Sequence, residues 1–477
     1  MLCLASFLEF VRDFRVFRGS ICYNMPQINK GMGAMTLTHN DFAVQTLGEC
    51  TVPSPLNLST VYGDYLTNYI DENERILYSN RLSAIKQYIE NGEEPLSFEK
   101  AGPREKIFFE PGAVRAGIVT CGGLCPGIND VIRSLVMQLH FLYKAQSIYG
   151  FRYGYWGMIK ESGLQPIVLS PDKVSDIHEL GGSILGSSRG NQNVAKMVDR
   201  LMDYKINMLF CVGGDGTLRG ASEITDEVNR RGLPISIIGI PKTIDNDIPF
   251  IDKTFGFETA CTHAVASIRS AHVEAKGYQN CIGLVKLMGR NSGYISASAS
   301  IASQEVNFCL IPEVPFELEG PNGFYSHLLK RLKRKSHALI VVAEGVGAYL
   351  CAKDEYDASG NRKFGDVGIF LRDGIKKFFD EQGMHVNVKY IDPSYMIRSS
   401  RPIPSDSRYC IQLAQNAVHA AMSGKTGMIV GRWNNSFTYV PMKMVTRENK
   451  VIDPESTFWL NVLEATGQPK SMRNTKP

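Results

Sequence analysis

The sequence predicts an α/β protein: two doubly wound, mostly parallel-sheet lobes facing a cleft, plus an N-terminal extension. Three observations predict it. From about Val114 onward, short apolar runs rich in β-branched residues recur at 116–120, 207–212, 235–240, 281–287, 308–311, 338–343 and 428–430. Each is followed by turn residues, and segments of helical periodicity lie between several of them, at 128–140, 193–204 and 260–275. Such alternation implies βαβ units, and unbroken apolar strands imply a sheet covered on both faces. The third observation is extent, because about 340 residues of this pattern exceed one comfortable domain.

Composition removes other classes. The chain has 477 residues, 44% hydrophobic and 21% charged, which is a globular balance. Lys+Arg is 52 and Asp+Glu is 48, a net +4 too small over this length to mark a nucleic-acid surface. The 11 cysteines are scattered without a C-x-x-C pair, so reduced thiols are expected instead of a disulfide or zinc framework. No apolar run is long enough to span a membrane. The apolar start is broken by Glu9, Arg12, Asp13 and Arg15, so no signal peptide is expected. Met25, Met32 and Met35 are later candidate starts, and residues 1–34 carry no readable chemistry. The first hundred residues read as an extension with one helical pattern at 80–90.

In doubly wound sheets, ligands bind beyond the carboxyl ends of the strands. The chain has 44 glycines, and their excess over an average composition clusters there. After the strand at 116–120 comes Cys121-Gly-Gly-Leu-Cys-Pro-Gly127, opening a helix whose N-terminus favours an anion. Gly181 to Gly190 places Arg189 on a Gly/Ser-rich loop, where its fork suits phosphate oxygens. Gly213-Gly-Asp-Gly-Thr217 combines a potential anion nest with a carboxylate able to hold Mg²⁺ on a phosphate. Pro241-Lys-Thr-Ile-Asp-Asn-Asp247 carries two carboxylates two residues apart, so that in an extended segment both point the same way. One can take a hydroxyl proton while the other serves a metal, with Lys242 and Thr243 as neighbours. Met288-Gly-Arg290 supplies a further cation for a phosphate or transition state. Glu344 follows the strand at 338–343, and Lys389 to Arg398 forms another polar segment.

Other segments invite a bland reading. Ser423-Gly-Lys-Thr426 is not a Walker A loop, since His419 stands where the first Gly is required and the segment leads into a strand. The basic run from Lys330 to Lys335 reads as the solvated face of a helix.

Together these segments resemble the phosphofructokinase family over roughly 114–465. The matching elements, in order, are Gly-Gly and Pro-Gly at 122–127, Gly-Tyr-Trp-Gly at 154–157, Gly-Ser-Ser-Arg at 186–189, Gly-Gly-Asp-Gly-Thr at 213–217, Pro-Lys-Thr-Ile-Asp-Asn-Asp at 241–247, Met-Gly-Arg at 288–290, Ala-Glu-Gly at 343–345 and Tyr-Met-Ile-Arg at 395–398. The long N-terminal extension and the Lys-Tyr-Ile-Asp-Pro-Ser-Tyr segment look like the branch of plants, trypanosomatids and some bacteria.

The resemblance implies phosphoryl transfer from Mg-ATP to the 1-hydroxyl of fructose 6-phosphate, the committing step of glycolysis. It implies Asp245 as base with Thr243 positioning it, and Arg189 and Arg290 as catalytic cations. ATP would meet Gly122, Gly123, Arg189, Gly190, Gly214, Asp215, Gly216 and Thr217, and Asp215 with Asp247 would organise Mg²⁺. The sugar phosphate would meet Thr243, Ile244, Asp245, Met288, Gly289, Arg290, Glu344, Lys389, Tyr395, Met396, Ile397 and Arg398. The implied divisions are an extension at 1–112, a nucleotide lobe at 113–255 with a return segment at about 400–450, a sugar-phosphate lobe at 256–399 and a C-terminal segment at 451–477. A cytoplasmic homo-oligomer, a tetramer by resemblance, with allosteric control is also implied, and neither nucleic acid nor membrane is expected as a partner.

Two positions depart from the commonest pattern. Lys242 matches pyrophosphate users, whereas Gly216 matches ATP users. A carboxylate at 216 would crowd and repel an α-phosphate, so ATP is expected as donor. Cys281 falls where the family carries an arginine reaching a neighbouring subunit's sugar phosphate, and cysteine cannot replace it. The rival readings are a pyrophosphate-dependent enzyme and a catalytically silent regulatory paralogue.

Overall fold

A computed structural model describes residues 37–356 and 362–474. The expectations for residues 1–34, including Met25, Met32 and Met35, lie outside the described residues.

The strands predicted from apolar runs form two separate sheets. The larger has nine strands. In chain order they are β1 (Arg75–Leu77), β2 (Ser97–Lys100), β3 (Arg115–Thr120), β4 (Ser147–Phe151), β5 (Ile167–Val168), β6 (Met208–Gly213), β7 (Ser236–Pro241), β12 (Met428–Trp433) and β13 (Ser436–Pro441). Their spatial order is β1-β2-β13-β12-β7-β6-β3-β4-β5. The central five, β12 to β4, are parallel, and antiparallel strands close both edges. The smaller sheet is wholly parallel. It contains β8 (Cys281–Leu287), β9 (Phe308–Leu310), β10 (His337–Ala343) and β11 (Asn387–Ile391), ordered β9-β10-β8-β11.

Helices cover these sheets as the periodicity predicts. They are α1 (Leu82–Asn91), α2 (Ile128–Met137), α3 (Val194–Asp203), α4 (Asp215–Arg230), α5 (Phe257–Gly277), α6 (Tyr294–Ser303), α7 (Phe324–Lys335), α8 (Val367–Glu381), α9 (Ser394–Ser399), α10 (Pro404–Met422) and α11 (Thr457–Thr466). One buried cluster joins the inner faces of both sheets through α2, α5 and α10, with Ile118, Phe210, Ile238, Val285 and Leu339 wholly buried. Two further clusters fill the outer faces. Burial of this kind is worth roughly 25 cal/mol per Å² of apolar surface, which is why the unbroken apolar strands lie centrally.

The extension is more than a lid. Its strands β1 and β2 pair with each other, and β2 pairs with β13, so residues 75–100 complete the large sheet. Buried Arg104 and Lys425 both reach Glu99, at 2.9 Å each, fastening that edge to the chain's later half. The segment 423–426 is structural. Ser423 caps α10, and Gly424 has φ +68°, where an added Cβ would lie 2.8 Å from Phe108. The basic run lies on α7, whose Leu328 and Leu332 are buried while Lys330, Lys333, Arg334 and Lys335 face outward.

Candidate active site

The glycine- and acid-rich motifs lie at the carboxyl ends of parallel strands, where side chains and exposed N–H groups can converge on a ligand. Beyond β3, Gly122 and Gly127 have φ +84° and +102°, values that L side chains rarely adopt. A Cβ on Gly122 would stand 3.2 Å from Lys242 Nζ, and one on Gly123 would stand 3.7 Å from an Arg189 guanidinium nitrogen. Lys242 Nζ donates to the Gly123 carbonyl at 2.6 Å. Gly122 N–H donates to the Ser188 carbonyl at 3.0 Å, and Ser187 Oγ donates to the Gly122 carbonyl at 2.6 Å. Three motifs distant in sequence thus share one wall.

Beyond β6, the turn at Gly214 leads directly into α4. Asp215 opens that helix, where the dipole favours a carboxylate. It pairs with Arg219 one turn later. Tyr155, from the turn Gly154–Met158, donates its hydroxyl to the Thr217 carbonyl at 2.7 Å and steadies the turn from below. Gly216 faces open space, with no heavy atom within 4 Å of a Cβ built there.

Beyond β7 lies the double-carboxylate loop. Asp245 N–H donates to Thr243 Oγ1 at 3.2 Å, and Thr243 Oγ1 donates to Asp247 Oδ1 at 2.8 Å. Asn246, between the two acids, has φ +56°. Arg290 N–H donates to Asp245 Oδ2 at 3.4 Å, and Ser292 Oγ donates to the Asp245 carbonyl at 3.0 Å. The loop that ends β8 on the small sheet therefore touches the acid loop of the large one. Asp245 Oδ1 is buried and accepts no hydrogen bond within the protein. Gly289 has φ +116°, and a Cβ there would sit 2.3 Å from the Ser292 carbonyl, so this turn admits only glycine. Glu344 follows β10, and the adjacent Gly345 N–H donates to the Gly289 carbonyl at 3.0 Å.

The electrostatics follow from burial of like charges. The Asp245 carboxyl is pushed up, by burial first and then by Asp247 and Glu344, against the pull of the Arg290 N–H and Arg398. Asp247 is raised by burial, opposed by Thr243, Lys450 and Lys242. Asp215 is raised by burial and by Asp247, opposed by Arg219. Burial also lowers Lys242, opposed by Cys125 and Cys121, while nearby Arg189 and Arg398 lower it further. The cleft thus brings Arg189, Lys242 and Arg398 together with Asp245, Asp247 and Glu344, with Asp215 beside Asp247 and the Arg290 backbone on Asp245.

A raised carboxyl means that the native state holds its proton more tightly than the unfolded chain. Stability from such a group is full at acid pH and is lost as pH rises through the raised value. Asp247→Asn keeps an acceptor for Thr243 and removes one buried charge. It is expected to raise the thermal midpoint at pH 7.5 by roughly 1–3 °C. Thermal scans across pH should show that gain vanishing toward about pH 4, where free carboxylates take up protons.

The structure separates some expected ligands from the cluster. Ile244, Met288 and Ile397 have buried side chains, leaving only their backbone to meet a ligand. Tyr395 and Met396 stand on α9 at 82% and 73% exposure. Lys389 does not join its own chain's cluster. Its Nζ lies 3.8 Å from Glu274 and 5.1 Å from the Tyr278 ring centroid, beside Cys281 at the opposite end of β8. Sequence reasoning assigned no role to Ser187, Tyr155, Ser292 and Lys450, although Tyr155 and Ser187 lie within the matched motifs at 154–157 and 186–189. Arg219 also went unread, although its i+4 spacing from Asp215 is a signal.

The acids also bear on a metal. Among the described residues no group of three or more His, Cys, Asp or Glu side chains could cage an ion. Asp215 and Asp247 lie close enough for one to raise the other, and two carboxylates suffice for Mg²⁺ when phosphates complete its shell. The residues present fit a metal that enters with a nucleotide.

Paired carboxylates and a ring of cations at the mouth of facing parallel sheets define a phosphoryl-transfer enzyme. The chain belongs to the phosphofructokinase family: the family model described as "Phosphofructokinase" matches residues 115–421. It is 46% identical over 444 residues to an ATP-dependent 6-phosphofructokinase of Borreliella burgdorferi, covering 91% of this chain and 98% of that protein. It is 42% identical over 437 residues to the ATP-dependent 6-phosphofructokinase of Trypanosoma brucei brucei, covering 90% and 88%. A chloroplastic ATP-dependent 6-phosphofructokinase of Arabidopsis thaliana is 46% identical over 409 residues, covering 84% and 76%. A pyrophosphate-dependent phosphofructokinase from Marinobacter aquaeolei superposes with a TM-score of 0.62 at 20% identity, covering 76% of this chain and 94% of that one. That likeness speaks to the fold.

Proposed function

We propose that this chain transfers the terminal phosphoryl group of ATP to the 1-hydroxyl of fructose 6-phosphate, with Asp245 as the general base. One observation carries the assignment of the base: Asp245 Oδ1 is buried, unpartnered within the protein and set beside the Arg290 loop. An incoming hydroxyl can donate to it. The donor reading rests on relatives of 42–46% identity named for ATP and on the open space at Gly216.

The steps need alignment and charge neutralisation more than covalent help. Asp245 accepts the hydroxyl proton as the oxygen attacks phosphorus. Thr243 holds the loop through Asp247 and the Asp245 N–H. Arg189, Lys242 and Arg290 meet charge on the moving group, and Arg398 with Glu344 orients the sugar phosphate. Gly122, Gly123, Gly190, Gly214 and Thr217 bring backbone close to the nucleotide. Mg²⁺, entering with ATP and held by Asp215 and Asp247, would neutralise the phosphate oxygens.

Assays with ATP and with pyrophosphate as donor test this reading directly. Turnover with ATP is expected. Turnover with pyrophosphate alone would transfer the site to the other branch, and none with either donor would favour a silent paralogue. No described helix is long and apolar enough to cross a membrane.

A further inference from the structure

The loop bearing both acids is held only in part by its own bonds, those of Thr243 and that of Thr254 N–H to Asn246 Oδ1 at 3.1 Å. Asn246 and Phe250 occupy the left-handed region without being glycine, at φ +56° and +60°. Such conformations persist where surroundings impose them. Here the surroundings are a strap from the C-terminal part of the chain, Lys450 to Ile452. Lys450 Nζ donates to Asn246 Oδ1 at 3.1 Å and to the carbonyls of Ile251 and Asp252 at 3.1 and 3.3 Å. Its backbone N–H donates to the Asp247 carbonyl at 2.7 Å. One residue thus fixes the loop on both sides of Asp247.

The same strap grips the other sheet's loop. Lys450 Nζ lies 5.3 Å from the ring centroid of Tyr294, the first residue of α6. Tyr294 donates its hydroxyl to the Val451 carbonyl at 3.0 Å. Ile452 N–H donates to Glu313 Oε1 at 3.0 Å, and the same carboxylate receives Gly293 N–H at 2.9 Å. Gly293 ends the turn that carries Arg290 and Ser292, which themselves bond Asp245.

We propose that Lys450 is a positioning residue. It registers the acid loop of the large sheet against the arginine loop of the small one, so that Asp245 is held at the acceptor hydroxyl. The inference rests on Asp245 being the base. A compact ammonium suits the place, because three donors diverge from one point to three acceptors, and Asn246 cannot be held from solvent. Displacement of a reacting group by about 1 Å costs on the order of 10²-fold in rate.

Lys450→Met is therefore expected to lower kcat by about 10²-fold with both KM values within about twofold. Lys450→Arg, which keeps the charge and part of the hydrogen bonding, should recover a portion of it. Tyr294→Phe removes only the hydroxyl grip on the strap and should lower kcat severalfold without moving the thermal midpoint. It decides the matter should Lys450→Met fail to fold. Normal kcat in either folded variant, or a rise in KM with kcat kept, would overturn the positioning role. An active Asp245→Asn protein would instead remove the base assignment beneath it, so the two failures are distinguishable.

Discussion

Asp245→Asn is expected to lower kcat by about 10²–10⁴-fold, the range a positioned general base supplies, with KM for fructose 6-phosphate changed little. The replacement is nearly isosteric and keeps an oxygen to accept the Arg290 N–H. It does not supply a basic atom where Oδ1 now lies buried and unpartnered. Asp245 is the most crowded of the acids, pushed up by burial, Asp247 and Glu344. The folded protein keeps that carboxyl protonated up to about pH 8, a cost that a neutral amide does not carry, so misfolding is not expected to mimic loss of catalysis. Thermal midpoint and kcat should move in opposite directions. Near-normal turnover would sink the base assignment.

The second large effect is expected at Gly216. Gly216→Asp should raise KM for ATP at least tenfold, with KM for fructose 6-phosphate and the thermal midpoint nearly unchanged. A side chain there meets no heavy atom within 4 Å at its Cβ. The position lies in the first turn of α4, where a carboxylate favours the helix. The fold thus has no reason to resist the change. The added charge would instead stand beside Asp215, where a nucleotide phosphate must approach. Like charges a few ångströms apart cost on the order of 1–4 kcal/mol at surface-like dielectrics, ample for a tenfold effect. An unchanged KM for ATP would mean that donor choice is made elsewhere, with Lys242 the first alternative.

Much of the large-scale fold was legible from the apolar runs. Cys281–Leu287 is a strand with the predicted bounds, and Asn207–Val212 and Ile235–Ile240 shift by one residue toward their carboxyl ends. Those strands are buried on both faces, so tertiary packing reinforces their composition instead of competing with it. The short strands β1 and β2 were not legible, because β1 pairs with β2 at the edge and β2 joins the sheet only through β13, more than three hundred residues away. Strand β11 escaped for a related reason: Lys389 and Tyr390 make it too polar to read as buried, and only pairing with β8 defines it.

The site divides in the same way. Motifs with local logic were readable: a carboxylate at a helix start, two acids two apart, an arginine among glycines. Residues whose role comes from a distant partner were silent. Lys450 looks like any surface lysine until its ammonium is seen among Asn246, Ile251 and Asp252. Lys389 differs the other way, because its segment resembles a ligand set while within this chain its strand places it beside Glu274 and Tyr278.

The amino-acid sequence by itself determined the α/β class, the strand-end location of the glycine- and acid-rich motifs and the family, since backbone periodicity and glycine placement are local properties of a chain. The tertiary structure alone decided which charges confront one another. Only there do Asp245 and Arg290, on loops from different sheets, come within hydrogen-bond distance. Only there does burial raise the acids. Only there does a strap beyond the last strand of the large sheet hold both loops in register. Charge and desolvation act through space, and the chain order does not encode those distances.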